Sequence, residues 1–318
     1  MSFAGDVAMR HGLGSGDEAF LSDAARTIFA EYTIIVGSTG NLGFSVGVAG
    51  RKLGFEVEVH MSRDARPWKK ERLRHAGVKV VEHDGDYSAA VAAARRSAAA
   101  NNSNHFVDDE NSITLLLGYS AAASELAGQL AASNVQVDET NPLLVYIPCG
   151  VGGTPGGISA GLKAIFGRHV HCIFVEPVAS PCVLVQLASG TNEAVSVYDC
   201  NLPNNTIADG LAVAQASLLV TGFLGNFIAG VATVTDADLS YWVERMWKGE
   251  AMRLEPSSAA GFAALANHGQ AIMQSLGKKP GTSIIWTTGG SFLPDEEWLE
   301  ARHAAGSTVV PAHRHPEG

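Results

Sequence analysis

Cys149-Gly150-Val151-Gly152-Gly153-Thr154-Pro155-Gly156-Gly157 places five glycines in nine residues, after an apolar run (Leu143 to Ile147) and before a helix-like segment (Ile158 to Phe166). A strand that ends in bare backbone and then starts a helix leaves several N–H groups unpaired at the positive end of a helix dipole. Such a loop binds phosphate. Spacing alone leaves two other readings open. One is a tight strand-to-helix turn with no ligand. The other is a dinucleotide fingerprint, begun by Gly150 and Gly152 but met by Pro155 where the third glycine belongs; Glu176, at the end of the next strand, would then be the ribose-binding acid. A second polar turn, Ser38-Thr39-Gly40-Asn41, offers hydroxyls, backbone N–H groups and a following helix N-terminus, which together suit a substrate carboxylate. An ordinary capped turn would use the same residues.

Other residues read more plainly. His169 and His171 share one face of a strand, a spacing more typical of sheet packing or surface than of a metal site. Cys149 has no base beside it in sequence and reads as a small buried filler. Lys69 and Lys70 with Arg72 and Arg74 read as a solvated helix face. Asp108-Asp109-Glu110 lacks a neighbouring histidine for a metal site and is expected to line a cleft.

These turns need elements to hold them. Thr33 to Val36, Glu56 to Met61 and Lys79 to Glu82 read as strands. They alternate with helices through Leu53, over Arg66 to His75 and over Tyr87 to Ala100. A β-α-β-α-β-α succession predicts a parallel, helix-covered sheet. Asn101 to Asn104 reads as a link. Beyond it His105 to Val107, Leu143 to Pro148, His169 to Val175 and Ser283 to Thr287 read as strands. Ile113 to Ala131, Asp236 to Trp247 and Ser257 to Gln274 read as helices, and 190–206 as irregular. The expected domains are residues 1–31, a poorly defined remnant of a larger lobe; 32–104, a small αβ domain; and 105–318, a large αβ domain. Ligands of open α/β sheets bind at the carboxyl ends of strands, so the polar turns of both lobes are expected to border one cleft.

Composition excludes several classes. With 318 residues, 46% hydrophobic and 17% charged, the chain is globular, not disordered. A net charge of −10 argues against nucleic acid and against anionic membranes. Any phosphate is therefore held by local dipoles. No apolar run approaches the ~20 residues of a membrane span. The four cysteines (Cys149, Cys172, Cys182, Cys200) form no C-x-x-C pair, which fits reduced thiols in the cytoplasm.

Several strings together carry a resemblance. G-S-T-G-N-L-G (37–43), the Gly loop and T-T-G-G (287–290) resemble the fold-type II pyridoxal-phosphate enzymes. H-M-S-R-D-A-R-P-W-K-K (60–70), D-D-E-N-S (108–112), L-G-Y-S (117–120), A-D-G-L-A-V (208–213) and L-E-P-S (254–257) narrow it to the D-serine dehydratases. The similarity runs from about Tyr32 to about Pro294. It implies two three-layer αβ lobes with mostly parallel sheets, tryptophan synthase β-like, and dehydration of a D-amino acid by β-elimination with pyridoxal 5'-phosphate. It also implies roles. Backbone N–H groups of Gly150, Val151, Gly152, Gly153 and Thr154 would hold the cofactor phosphate; Asn41 would bond O3′ of the pyridine ring and Thr288 would face its nitrogen. Ser38, Thr39, Gly40 and Asn41 would take the substrate carboxylate. Glu176 matches a cation-binding carboxylate of related enzymes, so a monovalent cation is a further expectation, although Cys182 stands where serine racemase-like sequences offer an aspartate. One departure is large. These enzymes need a lysine amine to bond the cofactor, carried in an S-x-K-type segment upstream of the first cleft strand. None of the 36 residues before Gly37 is lysine, and Lys52, Lys69, Lys70, Lys79, Lys163, Lys248, Lys278 and Lys279 all lie downstream. The expectation is a family member truncated at its start, with no catalytic lysine in this chain.

Overall fold

The computed structural model describes residues 2–304, apart from Ser15, Thr39, Asp86 and 278–280. The chain divides into two compact units, Met1–Leu115 and Leu116–Gly318.

The first unit is a parallel sheet of order β3-β2-β1-β4, built from β1 (Thr33–Gly37), β2 (Glu56–Ser62), β3 (Lys79–His83) and β4 (Asn104–Val107). Alternation in β2 sends Val57, Val59 and Met61 to one face, where they join Phe29, Phe55, Leu73 and Val78 in a core. That core is closed by α1 (Ser2–Arg10), α3 (Asp23–Phe29), α4 (Asn41–Leu53) and α5 (Pro67–His75), with the short α2 (Asp17–Phe20) beside α3. The alanine-rich α6 (Tyr87–Ala99) covers the other face. It lies so close to β1 that a Cβ on Gly37 would come within 2.6 Å of the Val91 backbone.

Two expectations change here. Residues 2–31 are not a remnant of the other lobe: Ala4, Val7, Ala8, Ala25 and Phe29 belong to the first unit's core. The strand expected to open the second lobe belongs to the first sheet, because β4 pairs with β1 from Thr33↔Asn104 to Val36↔Val107. The Asn101–Asn104 stretch is a turn into that strand.

The second unit has a parallel sheet of order β7-β6-β5-β8: β5 (Leu143–Pro148), β6 (Val170–Pro177), β7 (Ile228–Val234) and β8 (Thr282–Ile285). Every residue of β5 is buried, as an apolar run between two covered faces requires. One face packs on α7 (Ile113–Ala132), α8 (Gly153–Phe166) and α9 (Cys182–Ser189). The other packs on α10 (Asp236–Glu250), α11 (Pro256–Ser275) and α12 (Asp295–His303). Both units are thus three-layer α/β, as expected. No helix among the described residues is long and apolar enough to cross a membrane.

Candidate functional site

In the second unit four separated sequence strings meet at the carboxyl edge of the sheet. The Gly loop leaves β5 with Cys149 N bonded to Val175 O (2.8 Å), passes Gly152 in the left-handed region (φ +111°) and enters α8. Only glycine adopts that turn without strain. The N–H groups of Gly150, Val151, Gly152, Gly153 and Thr154 find no acceptor among the described residues; the first bond of the helix is Gly156 N to Gly152 O (2.8 Å). Neither Gly152 nor the helix start has a side-chain cap. Backbone donors and a helix N-terminus are therefore left without an acceptor at one place, which is what a phosphate ester needs. The loop itself is fixed: Val151 O accepts from Ser217 N (2.8 Å), and Val220, in the π-helical turn Leu219–Phe223, packs against Gly152 and Gly156.

The A-D-G-L-A-V and L-E-P-S strings close the same edge. A Cβ on Gly150 would stand 3.0 Å from Gly210 O, and one on Gly210 would stand 3.2 Å from Ser257 Oγ. The T-T-G-G turn follows β8, where Trp286 N donates to Tyr146 O (2.9 Å) and so sets the turn beside the end of β5. Ser258, fully buried in the first turn of α11, fixes Thr288. Its Oγ accepts from Thr288 N (3.0 Å) and Gly289 N (2.6 Å), donates to Gly289 O (2.7 Å) and lies 2.9 Å from Thr288 Oγ1. Thr288 stays exposed, with Glu255 Oε1 3.5 Å from its hydroxyl. Neither Ser258 nor Glu255 is singled out by the sequence: Glu255 stands inside the L-E-P-S string and Ser258 directly after it.

Glu176 is wholly buried at the end of β6 and spends both oxygens on the start of α9, accepting from Val183 N (2.8 Å) and Leu184 N (2.9 Å). Burial pushes its carboxyl up to about 7 despite those two bonds. Cys182 and Cys149 both direct Sγ at Gly150 O (3.3 and 3.4 Å), and burial pushes both thiols up. Among the described residues no group of three His, Cys, Asp or Glu side chains is arranged to hold a metal ion.

In the first unit Ser38 is buried at the carboxyl end of β1, and its Oγ accepts from Gly40 N (3.3 Å) and Gly43 N (3.0 Å). It thereby caps α4, while Asn41 stands exposed in that helix's first turn. Thr39 lies outside the described residues. The D-D-E-N-S string follows β4 on the same edge. Asp108 Oδ1 accepts from Glu110 N (3.0 Å) and Asn111 N (3.1 Å), and Arg95 pairs with Asp108 (3.0 Å) and Glu110 (3.3 Å).

The lysines are dispersed. Lys70 is not on a solvated face: it is buried, donating to Arg63 O (2.5 Å) and Glu82 Oε2 (2.7 Å). Lys79 pairs with Glu58, Lys248 with Glu244, and Lys163 donates to Val170 O. Lys278 and Lys279 lie outside the described residues.

Comparison with other proteins places the chain in a family. The profile of a family described as "Pyridoxal-phosphate dependent enzyme" matches residues 17–286. A protein of Burkholderia lata named "Probable D-serine dehydratase" is 53% identical over 307 residues, covering 93% of this chain and 69% of its own. One of Sinorhizobium medicae with the same name is 52% identical over 321 residues, covering 96% and 72%. Among solved structures, diaminopropionate ammonia lyase from Escherichia coli, in complex with D-serine, superposes with a TM-score of 0.77 at 20% identity, covering 96% of this chain and 77% of its own. A fungal L-serine ammonia-lyase from Rhizomucor miehei gives 0.71 at 23% identity, covering 85% and 81%. These structures share the fold.

Proposed function

The chain belongs to the pyridoxal-phosphate dependent enzymes, and from that premise we propose that it serves the β-elimination of D-serine to pyruvate and ammonia. The observation that carries this is the Gly loop: five consecutive residues whose amides have no acceptor among the described residues, at the start of α8, beside a fixed and exposed Thr288. Gly150, Val151, Gly152, Gly153 and Thr154 hold the phosphate ester of pyridoxal phosphate through those amides. Thr288 is assigned to the ring nitrogen and Asn41 to the ring hydroxyl. The cofactor, when bound, supplies the electron sink that makes the substrate Cα–H acidic. Thr288 brings a neutral hydroxyl, so the residue assigned to the ring nitrogen has no charge of its own to favour a protonated ring. Ser38, Thr39, Gly40 and Asn41 take the substrate carboxylate at the start of α4, where the helix dipole favours an anion. The substrate is a small amino acid of D configuration, as in the relatives' printed name. A monovalent cation beside Glu176 belongs to the same reading; it would need carbonyl oxygens in addition, since both Glu176 oxygens already accept amides.

The test is pyruvate release from D-serine and L-serine by the 318-residue chain incubated with pyridoxal phosphate. Release from D-serine well above a cofactor-only control supports the reading. A second reading rests on the lysines: every described one is engaged elsewhere or lies in the last turn of a helix or at a strand start. On that reading the chain binds the cofactor without catalysing elimination. Cofactor binding without pyruvate would decide for it.

A further inference from the structure

We propose that Glu255 is a positioning residue for the cofactor ring: it takes the Thr288 hydroxyl proton, leaves a lone pair of that oxygen for the ligand, and so makes the site select a ring nitrogen that carries a proton. The inference rests on the assignment of the ring nitrogen to Thr288 above. The L-E-P-S and T-T-G-G strings are tied by backbone as well as by side chain. Glu255 N donates to Gly289 O (3.1 Å), and Ser258, in the first turn of α11, holds the amides of Thr288 and Gly289. Glu255 stands at the N-cap of α11, yet its side chain accepts no amide of that helix. It reaches instead for the turn after β8, where its Oε1 lies 3.5 Å from Thr288 Oγ1.

The direction of the Thr288 hydroxyl follows from a count of lone pairs. Ser258 Oγ accepts from Thr288 N (3.0 Å) and Gly289 N (2.6 Å), which fills both of its lone pairs. It therefore has none left for the Thr288 proton, although the two oxygens are 2.9 Å apart. Its own proton has two acceptors within reach, Gly289 O (2.7 Å) and Thr288 Oγ1. Glu255 Oε1 is the acceptor that the described residues offer to Thr288. The bond is long at 3.5 Å, but a carboxylate at that range still orients a hydroxyl dipole with its hydrogen toward the charge. A hydroxyl has two lone pairs, so even where Ser258 donates into one, the other is left for a ligand of this exposed residue.

An oxygen that offers only a lone pair bonds a donor. A pyridine nitrogen without its proton is an acceptor and would meet Thr288 lone pair to lone pair. With its proton it is a donor, and the chain of bonds runs from nitrogen to Thr288 Oγ1 to Glu255. The carboxylate at the far end adds a charge that favours the cationic ring. Thr288 thus sets the geometry and Glu255 the sign. The proton comes from solvent, and no bond to carbon is made or broken. A protonated ring draws electrons more strongly, which suits the electron-sink role of the cofactor. Two other charged side chains stand on this edge of the sheet. Arg253 is paired with Asp295 (2.6 Å) and donates to Leu293 O, and Asp209 opens the short turn whose Gly210 meets Ser257.

The test reads the ring itself. Pyridoxal phosphate isotopically labelled at the ring nitrogen is bound to the 318-residue chain, and the nitrogen resonance is followed by NMR against pH. In Glu255→Gln, which keeps the shape and loses the charge, the pH at which the nitrogen gives up its proton should fall by at least ~1 pH unit relative to the parent. Thr288→Val, which removes the hydroxyl, should lower that pH too. Adding Glu255→Gln to Thr288→Val should then change it distinctly less. Affinity for inorganic phosphate, which reports on the Gly loop, and the urea midpoint should match the parent in Glu255→Gln. An unchanged nitrogen titration in Glu255→Gln, an undiminished effect of that variant without the Thr288 hydroxyl, or an equal fall in Asp209→Asn would overturn the role while leaving cofactor binding standing. A parallel loss of phosphate affinity would mark a merely structural part for Glu255 and overturn it too. A parent that binds no pyridoxal phosphate would instead sink the proposed function, and the role of Glu255 with it.

Discussion

Gly152 carries a left-handed backbone angle and, on the proposed function, an amide that meets the cofactor phosphate. Its φ of +111° disfavours any side chain, and a Cβ would meet Val220 at 3.4 Å and Val183 at 3.7 Å. Gly152→Asp adds to that strain a negative charge where amides are to meet an anion. Affinity of the chain for pyridoxal phosphate should fall at least ~10-fold, about 1.4 kcal/mol. Gly152→Ala separates the two effects, since it brings the Cβ without the charge; the aspartate variant should bind distinctly worse. Equal affinities for parent and aspartate variant, in a fluorescence titration, would remove the phosphate from this loop. The residue scale also shows what sequence conceals. Ser258 is one of several serines in an alanine-rich helix, and nothing in its type says that it accepts two amides and fixes Thr288. Lys70 looks like any surface lysine until the fold brings Glu82, twelve residues on, to 2.7 Å.

At the scale of elements, what the sequence shows depends on periodicity. The β5 run and the strands β1 to β3 are short, apolar and bounded by turns, and they stand within a residue or so of the expected positions. The long α7, α10 and α11 are legible for the same reason. Misread elements lacked the signal: α1 is nine residues with glycine inside, β7 is Ile-Ala-Gly-Val-Ala-Thr-Val without alternation, and α9 begins after Pro181 with no Ser, Thr, Asp or Asn cap. The cap of α9 is instead Glu176, supplied from a neighbouring strand by tertiary contact. That substitute has a pH signature. An ordinary glutamate titrates near 4.5 and Glu176 near 7, so the folded chain holds an extra proton between those values. Its contribution to stability is complete below about pH 4.5 and lost as pH rises through 7. Over that span the loss is roughly 3 kcal/mol. Glu176→Gln cannot ionise, so stability of the second unit should decline less between pH 5 and 8 in the variant than in the parent. Urea midpoints at several pH values, read by tryptophan fluorescence, measure the difference; four of the five tryptophans (Trp242, Trp247, Trp286, Trp298) lie in that unit. Parallel pH profiles would place the titration on another group.

The whole molecule binds its cofactor, on this reading, with backbone and hydroxyls in place of a basic field. The net charge of −10 repels a phosphate ester at long range, so affinity must come from the short-range amides of the Gly loop and the dipole of α8. A covalent lysine would add a second anchor. The described lysines are poor candidates: Lys70, Lys79 and Lys248 are ion-paired, Lys163 donates to Val170 O, and Lys52 and Lys69 lie on helix surfaces. An amine bonded to a carboxylate or a carbonyl is already engaged and is not placed to attack the cofactor's aldehyde. Capture of pyridoxal phosphate by the 318-residue chain should therefore be non-covalent. Three results are expected. Gel filtration should strip the cofactor, inorganic phosphate should compete with it, and borohydride reduction followed by peptide mass spectrometry should give scattered, substoichiometric label. One lysine labelled stoichiometrically, with cofactor retained through gel filtration, would overturn this and identify the amine that the chain uses.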